Sequence, residues 1–407
     1  MSARAAQRAA GGLPRPFWVL WAGTLINRLG MFVEPFLALY LSGARQLSLT
    51  EIGAVLASYG AGSVPSQLIG GALADRIGRR ATLTAGMLAN AAALLGLGYA
   101  RGLWPLIVAS IAVGLTVDVY RPAASALVAD VVPAADRTRA YGLLFWAVNL
   151  GFSVAMVLGG SLARSGFTTL FWADAVTCAI FGLLVWRAVP ETLPAAADGG
   201  GRDEGGFGAV LRDPVFVSFL LLTLIVECVY MQAYTTLPLA MSGSGLPAQA
   251  YGLAMAVNGI VIVAVQPVVA GWIGRRDKAT MIACGIGCFG LGFGLTALAS
   301  TTWEYGGCVA IWTIGEILTN ATAVALIAGL APPRLRGRYN GVFGLAFSVG
   351  YLIAPIAGTR LLAHGHAALW LSCAGACAAA AAWQLALRPA IRRREAAAGA
   401  GAPHRSV

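Results

Sequence analysis

Charge is what this sequence has least of. Only 11% of its 407 residues are Asp, Glu, Lys or Arg, while 58% are hydrophobic. A soluble domain carries roughly twice that charge, so a single soluble domain is excluded. Histidine is scarcer still, at three residues, and His364 and His366 fall in one short loop. The chain shows no cluster of metal ligands, no nucleophile beside a base and no phosphate loop, which argues against a membrane enzyme, and no cofactor is expected. It has no long hydrophilic segment either, and so no soluble signalling domain of the kind a receptor or sensor would carry. The seven cysteines all lie inside apolar runs, which excludes disulfides between loops. Cys284/Cys288 and Cys373/Cys377 have i, i+4 spacing, but no His or carboxylate accompanies them, so they read as small packing residues rather than metal ligands.

What the sequence has instead is a series of apolar runs of roughly 20 residues, the length a helix needs to cross a bilayer. Twelve candidate spans can be counted. They cover residues 17–41, 52–73, 81–100, 103–131, 138–163 and 167–188, then 215–241, 251–273, 279–300, 303–331, 339–362 and 367–387. A β-barrel would need short alternating segments, and runs such as 180–189 do not alternate. The fold expected is an all-α membrane protein.

The positive charge follows the same plan. Of 28 Lys and Arg, only Arg45, Arg101, Arg164 and Arg360 fall on the outer side, and Arg28 and Arg121 lie in the interior of spans. All the others sit before the first span, in the even-numbered loops or at the carboxyl end. The positive-inside rule then places both termini in the cytoplasm and the chain in the cell inner membrane. The formal charge of +11 is thus topology, and no nucleic acid partner is expected. A cleaved signal peptide is not expected, because the first apolar run is too long and carries Arg28 and Glu34.

Between residues 190 and 213 the composition turns to Gly and charge, which reads as a cytoplasmic linker. It separates residues 1–189 from 214–388, with a basic tail at 389–407. The two parts are repeats. At an offset of 199 residues, Pro133, Arg137, Arg139, Gly142, Ala147, Gly151, Ala155, Gly159 and Leu162 meet identical residues at Pro332, Arg336, Arg338, Gly341, Ala346, Gly350, Ala354, Gly358 and Leu361. Ile77-Gly-Arg-Arg80 matches Ile273-Gly-Arg-Arg276 at a slightly shorter offset. Parallel repeats imply two six-helix bundles about a pseudo-two-fold axis along the membrane normal, with a cavity between them.

The loop between spans two and three reads Gly71-Ala-Leu-Ala-Asp75-Arg76-Ile-Gly78-Arg79-Arg80. Its glycines permit a tight turn and close helix approach, Asp75 can cap or pair with the other half, and the arginines anchor the loop at the inner leaflet. This loop resembles motif A of the major facilitator superfamily, and the resemblance extends over the whole chain. It implies the twelve-helix fold of that family and transport by alternating access, with Gly71, Asp75, Arg76, Gly78, Arg79 and Arg80 forming a cytoplasmic gate. Arg121 in span four resembles the motif B arginine of the drug:proton antiporter branch. Span five departs from that branch: Met156 stands where its motif has Pro, between Gly151 and Gly159-Gly160, whereas the repeat partner in span eleven has Ala354-Pro355 before Gly358.

Charges inside the bilayer cost about 2.5 to 3.5 kcal/mol each on insertion scales, so each needs a partner or a task. Asp118 and Arg121 are one helical turn apart and can pair, with Ser125 on the same face. Arg28 and Glu34 point in different directions, so Arg28 is expected to meet another helix. One reading makes Arg28/Asp118 and Arg121/Glu34 static clamps. The other makes Asp118, Arg121, Glu34 and Arg28 the proton-coupling group, with Asp118 the first candidate carrier and Glu34, nearer the outer mouth, the second. The charged cluster is not repeated in the second half, since Arg121 corresponds to Asn320 and Asp118 to Ile317, which leaves that half freer to bind substrate. Glu227, Glu316, Asn27, Tyr230, Tyr234 and Asn320 are the candidate cavity residues, and Phe145, Trp146, Trp312 and Phe343 are candidate apolar lining. Asp174 reads as structural. The function expected is proton-coupled efflux of amphipathic small molecules by a monomer, with uptake or exchange of a sugar, acid or other metabolite as the alternative.

Overall fold

The computed structural model describes residues 12–192, 207–332 and 335–400. The segment before residue 12, most of the expected linker at 193–206 and the end of the basic tail lie outside the described residues. Among the described residues all regular structure is helical. In chain order the helices are α1 (Arg15–Leu29), α2 (Val33–Leu39), α3 (Leu49–Arg76), α4 (Arg79–Tyr99), α5 (Leu103–Val117), α6 (Tyr120–Val131), α7 (Arg137–Leu162) and α8 (Phe167–Ala188). Then follow α9 (Phe207–Leu211), α10 (Pro214–Tyr230), α11 (Gln232–Thr235), α12 (Leu237–Gly243), α13 (Ala248–Ile273), α14 (Lys278–Leu295), α15 (Thr302–Leu330), α16 (Arg336–Ala363) and α17 (His366–Ala400). Several starts are set by local chemistry. Ser48 with Glu51 and Thr301 with Glu304 form capping boxes, and Asp213 and Asp277 cap α10 and α14.

Ten helical stretches are long and apolar enough to cross a membrane. The two remaining sequence spans differ from these for visible reasons. Span 17–41 is broken into α1 and α2. Span 52–73 lies in the unbroken 28-residue α3, which is rich in Gly, Ser and Ala rather than large apolar residues. The surface is inverted relative to a soluble protein: Trp104, Val108, Val268 and Trp303 are exposed, while Asn90, Asp174, Glu227, Asn258 and Gln384 are buried. Such a surface is solvated by lipid.

Three spans are interrupted, and the last restart of each carries a proline in its first turn, where a missing N–H leaves no bond unmade. Pro35 follows the break between α1 and α2, Pro122 the break at Asp118–Val119, and Pro238 the break at Thr236. Pro65, Pro267 and Pro355 instead sit inside α3, α13 and α16. Side chains meet the backbone groups that the breaks release. Asp174 accepts from the N–H of Phe32 (3.2 Å) and of Val33 (3.1 Å), and Ser66 accepts from the N–H of Asp118 (3.2 Å). Gln232 donates to the carbonyls of Cys228 (2.8 Å) and Ala354 (3.1 Å).

Small residues bring the helices together. In the first part α1 packs on α7 and α8, α3 on α5, and α4 on α8; in the second α14 packs on α15 and α17, α13 on α15, and α10 on α16. The two parts meet where α3 packs on α16, α7 on α13, and α2 on α11 and α12. All these bridging contacts fall at one end. Gly53 faces Thr359, Gly60 faces the backbone of Tyr351, Gly160 faces Gln249, Gly252 faces Met156, and Gly259 faces Ser153. On every one of the four long helices that is the half away from Arg76, Arg137, Arg275 and Arg336. The molecule is therefore closed at one end, while its helices separate at the basic end.

A Cβ on Gly114 would run into the Tyr59 carbonyl where α3 and α5 cross, whereas one on Gly287 would meet nothing within 4 Å. Gly114→Val is expected to cost about 1–3 kcal/mol through overpacking, and Gly287→Ala to be neutral or slightly stabilising. Thermal melting of the two variants in detergent checks this; equal melting temperatures would contradict the packing described.

Candidate functional site

The helices enclose a cavity of about 710 Å³ lined from both parts of the chain. Its charged lining consists of Arg28, Glu34, Asp118, Arg121, Asp174, Glu227 and Glu316, five carboxyls against two guanidiniums. Its aromatic lining includes Phe145 and Phe343, as the sequence suggested. Trp146 and Trp312 do not line it. Trp146 is exposed on the outer surface, and Trp312 is buried in a stack with Phe289 and Phe293.

The first-half charges are held differently from the two clamps considered above. Arg121 Nε meets Asp118 Oδ1 at 2.6 Å within span four, so its ion partner is Asp118 rather than Glu34. Arg28 is not paired with Asp118. It donates to the Tyr120 hydroxyl (2.8 Å) and to the Met31 sulfur (2.7 Å), and no carboxylate among the described residues lies within ion-pairing distance. The helical twist that separates Arg28 from Glu34 does send it to another helix, but to a neutral acceptor. Glu34 instead accepts a 2.5 Å hydrogen bond from the hydroxyl of Tyr351, on α16 of the second part. Asp174 is spent on the break between α1 and α2, its other oxygen accepting from the Cys178 thiol at 3.7 Å. Asn27 and Asn90 donate to the same sulfur.

In the second part Glu316 Oε2 accepts from Asn258 (2.7 Å), and its Oε1 accepts a long 3.5 Å bond from Tyr230, whose hydroxyl also meets that of Tyr234 (3.2 Å). Asn258 also donates to Thr313 (3.0 Å). Asn320 lines the cavity. Glu227 is 8% exposed, and its carboxyl makes no hydrogen bond or ion pair with another described residue. Of these groups Tyr351 and Asn258 were missed by sequence reasoning. Both are polar residues in the middle of apolar spans, and that was a usable signal.

At the basic end Arg79 is buried against Asp130 (Nε to Oδ2, 3.0 Å) and donates to the Ala74 carbonyl (3.1 Å), with Asp75 3.8 Å away. The Asp75 side chain is 77% exposed, its described ion partner is Arg79 of the first part, and Arg76 is exposed beside it. Gly71 has open space around it. Gly78 has φ +99, a conformation that favours glycine, and a Cβ there would push the Glu191 carboxylate aside. Glu191 in turn accepts from the N–H groups of Arg79 (2.7 Å), Arg80 and Ala81, capping α4. Burial raises the Glu191 pKa, but these N–H bonds outweigh it and hold the carboxyl below its ordinary value. Glu191 and Asp130 were not anticipated as partners of this loop.

The matching loop of the second part has its own anion. Asp277 accepts from the N–H and hydroxyl of Thr280 and meets Arg392 (2.8 Å) and Arg388 (3.2 Å) from α17. Asp213 likewise holds Arg394 and the Tyr339 hydroxyl. The basic extension of the last helix is thus docked on two helix N-termini.

Helices, a cavity shared by both parts of the chain and buried charges within it define a membrane transporter. The family described as the Major Facilitator Superfamily matches residues 20–355 and 245–406, and the chain belongs to that superfamily. It is 30% identical to the MFS-type transporter YttB of Bacillus subtilis (strain 168), over 88% of this chain and 92% of that one. It is 25% identical to a Na(+), Li(+), K(+)/H(+) antiporter of Planococcus maritimus, over 81% and 85%. It is 26% identical to multidrug resistance protein MdtH of Enterobacter sp. (strain 638), over 74% of each. In fold it is similar to the peptide transporter POT bound to alafosfalin, with a TM-score of 0.79 at 17% identity over 94% and 96% of the two chains. The protein is a multi-pass secondary transporter of this superfamily.

Burial raises the Asp277 pKa, but the Thr280 hydroxyl, Arg392 and the Thr280 N–H outweigh it and hold the carboxyl down at about 2. A carboxyl depressed on folding stabilises above its unfolded pKa and loses that effect as pH falls toward the folded value. Asp277→Asn should therefore melt below wild type near neutral pH, and the gap should close as pH falls from about 4 toward 2. A gap constant with pH in detergent melts would contradict the ion pairs.

Proposed function

We propose that the protein exports amphipathic small molecules in exchange for protons by alternating access, the two six-helix parts rocking about the central cavity. The basic end is the cytoplasmic one by the positive-inside rule, so the conformation described here is inward-facing. The exposed Asp75 and the open space at Gly71 suit this state: while the basic ends are apart, the described bonds of residues 71–80 are to the first part and to Glu191, none to the second part. Asp75, Arg76, Arg79 and Arg80 then contact the second part in the outward-facing state.

One observation carries the coupling, namely the hydrogen bond from Tyr351 to Glu34 across the two parts. An ionised carboxylate accepts roughly twice as strongly as a neutral one. The empty, deprotonated carrier is therefore latched inward-facing, which prevents an unproductive return. Substrate entering from the cytoplasm breaks the latch, and a proton taken up on the outer side lets the carrier close there again. Asp118, locked to Arg121, is the second proton candidate, and movement of Arg121 would release it. Similarity to MdtH supports the drug-export reading. A second reading, exchange of an alkali cation for protons, is favoured by the excess of carboxyls over guanidiniums and by the P. maritimus relative.

Glu34→Gln is expected to abolish transport driven by a pH gradient in proteoliposomes while leaving downhill flux measurable, and Asp118→Asn to slow both. Ethidium serves as the cationic organic probe and sodium as the competing one. Full uphill transport in both variants would overturn proton coupling through this group, and sodium movement without ethidium movement would favour the second reading.

A further inference from the structure

Each charged group in the cavity can be matched with what satisfies it. Glu34 has Tyr351, Asp118 has Arg121, Asp174 has two backbone N–H groups, and Glu316 has Asn258 and Tyr230. Two charges make no ion pair among the described residues, Arg28 meeting Glu34 only through space. Arg28 uses two of its five donors, both on neutral acceptors, and its Nε is buried without a partner. Glu227 uses none of its acceptor capacity. In a membrane interior a charge left in this condition marks a functional site by default.

The two occupy equivalent places. Residues 28 and 227 are 199 apart, the spacing of the internal repeat. Their packing is equivalent as well: the backbone and Cβ of Arg28 lie against Gly151, and those of Glu227 lie against Gly350. Gly151 and Gly350 are themselves a repeat pair. Where the repeat holds a cation in one half it holds an anion in the other, and both line the one cavity.

We propose that Arg28 and Glu227 form a two-point clamp for a zwitterionic substrate, Arg28 binding its carboxylate or other anionic group and Glu227 its amine or other cationic group. The proposal rests on the transporter reading and narrows its substrate class from amphipathic molecules in general to those carrying both charges. Arg28 can offer a carboxylate parallel N–H bonds, which an ammonium could not. A purely cationic substrate would leave Arg28 unmet, and a purely anionic one would leave Glu227 unmet, each a desolvated group without a partner. Tyr230 and Tyr234, near Glu227 in sequence and on the cavity wall, supply ring faces for the cationic part.

Three isosteric dyes test this on the full-length protein in nanodiscs: rhodamine 110, a zwitterion; rhodamine 123, its cationic methyl ester; and fluorescein, which is anionic. Fluorescence polarisation should show rhodamine 110 bound at least about ten-fold more tightly than either, about 1.4 kcal/mol. Arg28→Gln should bring the ratio to rhodamine 123 to about one, with Arg28→Lys keeping part of it. Glu227→Gln should bring the ratio to fluorescein to about one, and the exchanged pair Arg28→Glu with Glu227→Arg should restore a preference for the zwitterion. Equal affinity of the wild type for rhodamine 110 and rhodamine 123 would overturn the clamp, whatever the fate of the variants. Failure of the transporter reading appears separately: zwitterion preference without pH-driven dye movement in proteoliposomes keeps the clamp and removes the export reading. Driven movement of rhodamine 123 with no zwitterion preference removes the clamp alone.

Discussion

The architecture depends on the two hydrogen bonds that Asp174 accepts at the start of α2. A helix broken inside a bilayer leaves N–H groups that no water can reach, and each costs several kcal/mol if unmet. By meeting that of Val33 and sharing that of Phe32 with the Gly30 carbonyl, Asp174 allows the first span to stop at Leu29 and restart at Val33. That offset aims Arg28 toward Tyr120 and Glu34 toward Tyr351, so that one span presents opposite charges to two different walls. Ser66 and Gln232 do comparable work at the other interruptions. The cavity chemistry follows from where the backbone is permitted to break.

A second constraint is the absence of any hydrophobic drive between helices in lipid. Close contact must come from packing, so the joints between the two parts are glycine against backbone, at Gly60, Gly160, Gly252 and Gly259. Beside them aromatic rings of the two parts interlock, Phe36 with Tyr251, Tyr59 with Tyr351 and Phe152 with Tyr234. These contacts are confined to one end and leave the basic end open, and Glu34 and Tyr351 supply the one described polar bond beside them. Docking of α17 on Asp277 and Asp213 stiffens the second part at the opposite end.

Much of this was legible in the sequence. Span positions, the repeat and the basic loops follow from hydropathy and charge, which the bilayer reads directly. The Asp118–Arg121 pair was legible because both sit on one helix, where spacing fixes geometry. Pairs between helices were not: Glu34 with Tyr351 and Arg79 with Asp130 depend on rotations that a single sequence leaves open. Trp312 was misplaced because an aromatic in a span fits a packed stack as well as a cavity wall. The equivalence of Arg28 and Glu227 could have been read from the repeat offset alone, but the charges are opposite, and a search for identical residues passes over them.

The central claim is that the two ends open alternately about this cavity. Double electron–electron resonance between spin labels at Arg76 and Arg276, on the basic end, and between labels at Gly43 and Gly243, on the closed end, measures it directly. On adding rhodamine 110, the basic-end distance should shorten as the other lengthens, with the two changes in fixed proportion. Distances that change together, or a closed end that never opens, would contradict the account.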